Sequence, residues 1–102
     1  MYVAEQGDLL KINGVADPAI VVSNNPFNRL GKVMVCPIRK DVQENPLHIE
    51  INAGQVEGYV LCEQVKYIDL SSRSATKISS ANYFDILNIS DAVMGIFDYQ
   101  DM

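Results

Sequence analysis

From Gly7 to Ile78 the apolar residues of this chain come in short runs cut apart by turn residues, and only beyond Ser80 does a helical spacing set in. That ordering constrains the fold more than any other feature, because short β-branched runs bounded by turn signals can bury themselves only by pairing into a sheet. Leu9-Leu10-Lys11-Ile12 reads as a first strand closed by the turn dipeptide Asn13-Gly14. Ala19-Ile20-Val21-Val22 follows Pro18 without polar alternation, which suits a strand covered on both faces. Ser23-Asn24-Asn25-Pro26 is a turn cluster leading into a loop, Phe27 to Gly31. Lys32 to Cys36 begins a third strand, and Pro37, lacking an N–H, predicts an edge, a bulge or the strand's end.

Leu47, Ile49 and Ile51 alternate with His48, Glu50 and Asn52, a period of two that gives a fourth strand one wet face. Ala53-Gly54-Gln55 turns the chain into a fifth strand, roughly Val56 to Val65, with Val60-Leu61-Cys62 as its core. Tyr67 to Leu70 adds a short strand, and Thr76-Lys77-Ile78 returns briefly to the sheet. Ser79 or Ser80 can then cap a helix from about Ala81, since a serine oxygen accepts an unpaired N–H of the first turn. Tyr83, Ile86, Ile89, Val93 and Ile96, widened by Leu87, Met94 and Phe97, fall on one helical face that should pack on the sheet. Gly95 predicts a weak last turn. The reading is a mainly β chain, a small antiparallel β-barrel or half-barrel with a C-terminal α-helix, forming one domain over residues 1–102.

Composition narrows the function. Hydrophobic residues make up 48% and charged residues 21% of the 102 residues, enough for a folded core. No apolar run approaches the roughly 20 residues of a membrane span, so we expect a cytoplasmic protein with no membrane partner. A net charge of −5 disfavours long polyanions, although Arg29, Lys32, Arg39 and Lys40 can still make a local positive face. Cys36 and Cys62 are too few for a zinc site and read as small buried hydrophobes, so neither a metal nor a disulfide is expected.

Five segments in order carry a resemblance: Gly7-Asp8, Pro18 to Ser23, Phe27 to Gly31, Val35-Cys36-Pro37-Ile38, and Gly58 to Asp69. Together they resemble the MazF/PemK/Kid toxins of bacterial toxin–antitoxin systems. The resemblance implies an SH3-like barrel with a C-terminal helix, a homodimer, a cognate antitoxin, no cofactor, and cleavage of single-stranded messenger RNA without metal. Such cleavage needs a base for the 2′-hydroxyl, an acid for the leaving oxygen and a cation for the phosphate.

The family meets these needs with an arginine before the second-strand proline, a hydroxyl after the third-strand Pro-Ile, and an acid beside the fifth-strand glutamine. Asp17 stands at the first position, Arg39 at the second, and Glu63 keeps the third. On this mapping Glu63 and Arg39 are the catalytic candidates, and Gln64, Arg29, Phe27, Lys66 and His48 the substrate-binding ones. Three of the last group also have a plainer reading: Phe27 folded back on the core, His48 a solvated side chain on the wet face, Lys66 a surface charge. The two departures predict a ribonuclease of reduced or lost activity. The alternative is a MazF-like module that acts by binding a protein, either an antitoxin or, as in the structurally related CcdB toxins, a gyrase-type target.

Overall fold

The computed structural model describes residues 2–98. Its strands are β1 (Asp8–Ile12), β2 (Ala19–Val21), β3 (Lys32–Arg39), β4 (His48–Ala53), β5 (Val56–Leu61), β6 (Lys66–Asp69) and β7 (Ala75–Ser80). A short helix α1 (Asn25–Asn28) follows β2, and α2 (Tyr83–Phe97) ends the fold. The strands form one antiparallel sheet in the order β4-β5-β3-β2-β1-β7, with β6 pairing β3 beyond the point where β5 leaves it. The sheet curls until its ends approach: Ser79 of β7 donates its hydroxyl to the Ala53 carbonyl of β4 at 2.6 Å. The expected mainly β half-barrel with a terminal helix is what forms. Among the described residues no helix is long and apolar enough to cross a membrane.

Alternation along the curled strands divides the interior in two. Leu9, Ile20, Cys36, Ile38, Ile51, Val60 and Cys62 pack with Ile89 of α2. Leu10, Ile12, Ala19, Val21, Val33 and Val35 pack on the opposite face with Ile68. Strand β2 contributes to both, as its unbroken apolar run requires.

Several details extend or differ from the sequence reading. Strand β3 continues past Cys36 through Pro37 to Arg39. The Ile38 N–H points to the Pro18 carbonyl at 2.9 Å, so the neighbouring position faces the other way, into the junction between β5 and β6. Proline there costs the ladder no bond. Strand β5 stops at Leu61, short of the expected Val65, because the Gln64 N–H closes a turn onto the Leu61 carbonyl at 3.0 Å. Residues 25–28, expected as loop, form α1, with the Asn24 side chain accepting from the Phe27 N–H at 3.0 Å. Finally, Ser79 and Ser80 belong to β7, and it is Asn82 that caps α2, accepting from the Asp85 N–H at 2.8 Å.

The apolar stripe of α2 is only partly used. Ile89 is buried and Ile86, Ala92 and Val93 are half-covered, whereas Tyr83, Leu87, Met94, Ile96 and Phe97 are exposed. A helix about 22 Å long at 1.5 Å per residue crosses the curled sheet and touches it mainly near its middle. Ile86 enters through the absence of a side chain at Gly7: a Cβ there would lie 2.4 Å from Ile86 Cδ1.

Candidate functional site

The turn that ends β5 is the best-organised polar feature of the sheet rim. Strands β4 and β5 pair in register from Ala53↔Val56 to His48↔Leu61, and the Cys62 N–H extends the ladder one step to the Leu47 carbonyl at 3.0 Å. The Leu61–Gln64 turn then lifts Glu63 over the end of β4. Glu63 Oε2 meets His48 Nε2 at 2.9 Å, while His48 Nδ1 lies 2.6 Å from the Gln43 carbonyl. A carbonyl can only accept, so Nδ1 carries a proton and Nε2 is the atom that gains or loses one. Asn45 completes the cluster. Its Oδ1 accepts from the Leu47 N–H at 2.7 Å, which turns its Nδ2 towards His48 Nε2 at 3.3 Å.

The His48 side chain keeps 9% of its exposure and that of Glu63 36%. Burial works against ionising Glu63. The hydrogen bond from His48, its own backbone N–H and the imidazolium charge outweigh this, so the carboxyl lies below its ordinary value. The same hydrogen bond, helped by the Gln43 carbonyl and opposed by burial, raises His48 above the ordinary imidazole value. Both shifts favour a carboxylate facing an imidazolium. Behind it the Cys36 and Cys62 thiols are buried and unpaired, pushed up by burial to about 12 and about 11, and stay neutral. They are the inert small residues the sequence suggested.

Arg39 occupies the last position of β3, opposite Tyr59 of β5. Its Nε is 3.9 Å from Asp17 and its Nη2 3.3 Å from Asp41. The guanidinium thus stands beside the position where the resemblance places an arginine and this chain has Asp17. All three side chains are well exposed, and exposed pairs of this kind hold by only about 0–1 kcal/mol, so an incoming anion can displace a carboxylate.

The remaining candidates divide by location. Gln64 and Lys66 are exposed and follow Glu63 directly, on the turn and at the start of β6. Arg29 and Phe27 belong instead to the α1 segment, which packs on β3. Phe27 is half-buried in a crevice of about 310 Å³ with Met34, Val93 and Met94, which favours its plainer reading. The clearest difference concerns His48. Its wet-face position predicted a solvated side chain, but the β5 turn covers it. Neither Gln43 nor Asn45 was singled out from sequence, since their roles depend on a loop closing back on β4. Among the described residues no group of three or more His, Cys, Asp or Glu side chains is arranged to hold a metal ion.

A family model described as the PemK-like, MazF-like toxin of type II toxin–antitoxin systems matches residues 11–97. The endoribonuclease toxin ChpB of Escherichia coli (strain K12) is 34% identical over 94 residues, spanning 76% of this chain and 79% of that protein. A crystal structure of MazE–MazF from Deinococcus radiodurans superposes with a TM-score of 0.86 at 24% identity, over 95% of this chain and 98% of that one. An endoribonuclease in complex with its cognate antitoxin, from a mycobacterial species, superposes at 0.75 with 16% identity, over 91% and 96% of the two chains. At these identities the two structures establish the fold, and the sequence matches establish the kinship.

Proposed function

Because the chain belongs to the PemK-like, MazF-like toxin family of type II toxin–antitoxin systems, we propose that it is a toxin that cleaves single-stranded messenger RNA with Glu63 as its base. The observation that carries this reading is the partly exposed Glu63 carboxylate, held on a closed turn and hydrogen-bonded to His48 at 2.9 Å. In the proposed step Glu63 takes the proton of a ribose 2′-hydroxyl. The 2′-oxygen attacks the adjacent phosphorus, the bond to the 5′-oxygen breaks, and a 2′,3′-cyclic phosphate and a 5′-hydroxyl result, the latter protonated from water. Arg39 carries the charge that develops on the phosphate, with Arg29 and Lys66 as further phosphate contacts and Gln64 orienting the substrate.

Asp17 and Arg39 replace the arginine and hydroxyl of the family pattern, and loss of one preorganised charge stabiliser costs about 10²–10³ in rate. Arg39 standing beside Asp17 offsets part of that loss, so we propose a slow enzyme in place of a dead one. Mixed-sequence single-stranded RNA incubated with the pure protein in EDTA should give cyclic-phosphate ends that Glu63→Gln abolishes. RNA left intact by the unmodified protein would overturn the reading.

The proposed partners are a cognate antitoxin, by extension from the mycobacterial complex, and, on the family resemblance, a second copy of the chain; the proposed compartment is the cytoplasm, where messenger RNA is met. A non-catalytic protein-binding module is the second reading. It is favoured by the apolar residues that α2 leaves uncovered, including Phe84, Met94 and Phe97 at 74%, 62% and 75% exposure. Growth arrest on overexpression that Glu63→Gln relieves would exclude it.

A further inference from the structure

We infer that His48 is the positioning residue of Glu63: held by the Gln43 carbonyl through Nδ1, it fixes Oε2 through Nε2 and leaves Oε1 as the oxygen that meets the 2′-hydroxyl. This role rests on the ribonuclease reading above and deepens it, because it says what makes Glu63 competent as a base.

Proton accounting on the His48–Glu63 axis is the first support. With Nδ1–H committed to a carbonyl, a neutral ring would aim its Nε2 lone pair at the lone pairs of Oε2 across 2.9 Å. The contact is attractive only when one proton sits between the two atoms, so the pair holds one proton and shares it. Asn45 Nδ2, at 3.3 Å, supplies a neutral donor to the ring whenever that proton leaves Nε2. The ring is therefore partnered in either state and does not need to rotate. Among the described residues Oε1 has no side-chain partner.

The second support is what Glu63 would do alone. Burial at the end of β5 raises the carboxyl, against the ionised form that a base needs. His48 reverses that bias from a site that is itself almost closed, with 9% of its side chain exposed, so the imidazole acts through the carboxylate and does not touch RNA. The other titratable groups in reach are the Cys36 thiol of β3 and the Cys62 thiol that follows β5, raised to about 12 and about 11. Both are uncharged wherever the pair titrates, so a pH profile of cleavage reads the pair.

The test measures kcat and KM for cleavage of single-stranded RNA in EDTA over about pH 4–9, the range that spans carboxylates and imidazoles. The chains compared are the unmodified protein, His48→Phe and His48→Gln. A base displaced by loss of its anchor should lose about 10²-fold in kcat at neutral pH in His48→Phe. KM should change little and the acid limb of the profile should move upward. The amide of His48→Gln can still donate to Oε2, and should recover much of the rate. An unmoved acid limb in both variants would overturn the role while leaving the ribonuclease reading standing.

The pair is also read without activity. His48 is the single histidine, so its ring protons give one unambiguous NMR titration. The midpoint should lie above the ordinary imidazole value and fall back in Glu63→Gln. An identical midpoint in both proteins refutes the pair. Absence of cleavage by the unmodified protein sinks the ribonuclease reading and this role together, and the titration then still separates a formed pair from an unformed one.

Discussion

The end of β5 and the end of β3 sit on the same sheet and carry opposite charges, yet they are built differently. Glu63 is seated by a closed turn, a nearly covered imidazole and a backbone carbonyl behind it. Arg39 has 46% of its side chain exposed and leans on two exposed carboxylates at 3.3 and 3.9 Å. The carboxylate is preorganised and the cation is loose, and on the proposed reading that means a base kept in place and a phosphate ligand that has moved. Glu63→Gln should break this contrast most severely. It removes the base and lowers cleavage by about 10²–10⁴-fold, while thermal melting should move little because the pair it interrupts is partly exposed. A large fall in melting temperature would mean that Glu63 is a structural residue instead.

The next largest effect should come from the strand between the two ends. At Gly58, φ is +148°, a conformation side chains rarely adopt, and a Cβ would lie 2.9 Å from the Arg39 carbonyl oxygen. The obstacle is backbone and cannot rotate away. Gly58→Ala should therefore cost about 1–3 kcal/mol, read by denaturant unfolding. It should also disturb the Arg39↔Tyr59 pairing that aims the guanidinium. Unchanged stability would show that β3 and β5 separate there without cost.

Loosening the cation further sharpens the comparison from the other side. In a Glu63→Gln background, where RNA stays intact, Asp17→Asn removes the carboxylate nearest Arg39 Nε. RNA affinity should rise several-fold, and the slope of log K against log salt should steepen by about 0.7 if one more phosphate is neutralised. Fluorescence anisotropy over a salt series measures both. An unchanged slope would show that Arg39 makes no phosphate contact.

The contrast between the two ends also explains what the sequence made legible. Glu63 could be found because its neighbour Gln64 and the run Gly58 to Asp69 place it in a pattern, and Arg39 because it follows Pro37-Ile38. Strand identities followed from the Leu47–Asn52 alternation and from the short β-branched run Ala19–Val22 bounded by turn residues. The environment of His48 did not follow. Alternation assigns a residue to a face, but whether that face is wet depends on a turn 15 residues further along the chain, here the Leu61–Gln64 closure. The cap of α2 was misplaced for a related reason: Ser79 and Ser80 have the right chemistry, but pairing of β7 with β1 claims their backbone first, so the helix begins one turn later at Asn82. The same competition hid the partial burial of α2, because a stripe of apolar residues says which face is sticky and not how far a curved sheet extends beneath it.

The smallest effect is the stability that the His48–Glu63 pair contributes, and its dependence on pH can be argued from sign alone. Folding raises His48, so its share is fully present below the ordinary imidazole value and is lost as pH climbs through the raised one. Folding lowers Glu63, so its share is present above the ordinary carboxyl value and is lost as pH drops through the lowered one. The coupling should therefore be greatest between the two and fade on either side. With Glu63 36% exposed, solvent screening limits it to about 1 kcal/mol or less. A double-mutant cycle of His48→Gln and Glu63→Gln, run by denaturant unfolding near pH 6 and again near pH 9, where an imidazole is largely neutral, isolates the term. Coupling that survives undiminished at the higher pH would overturn this window, because the pair would still hold its shared proton there.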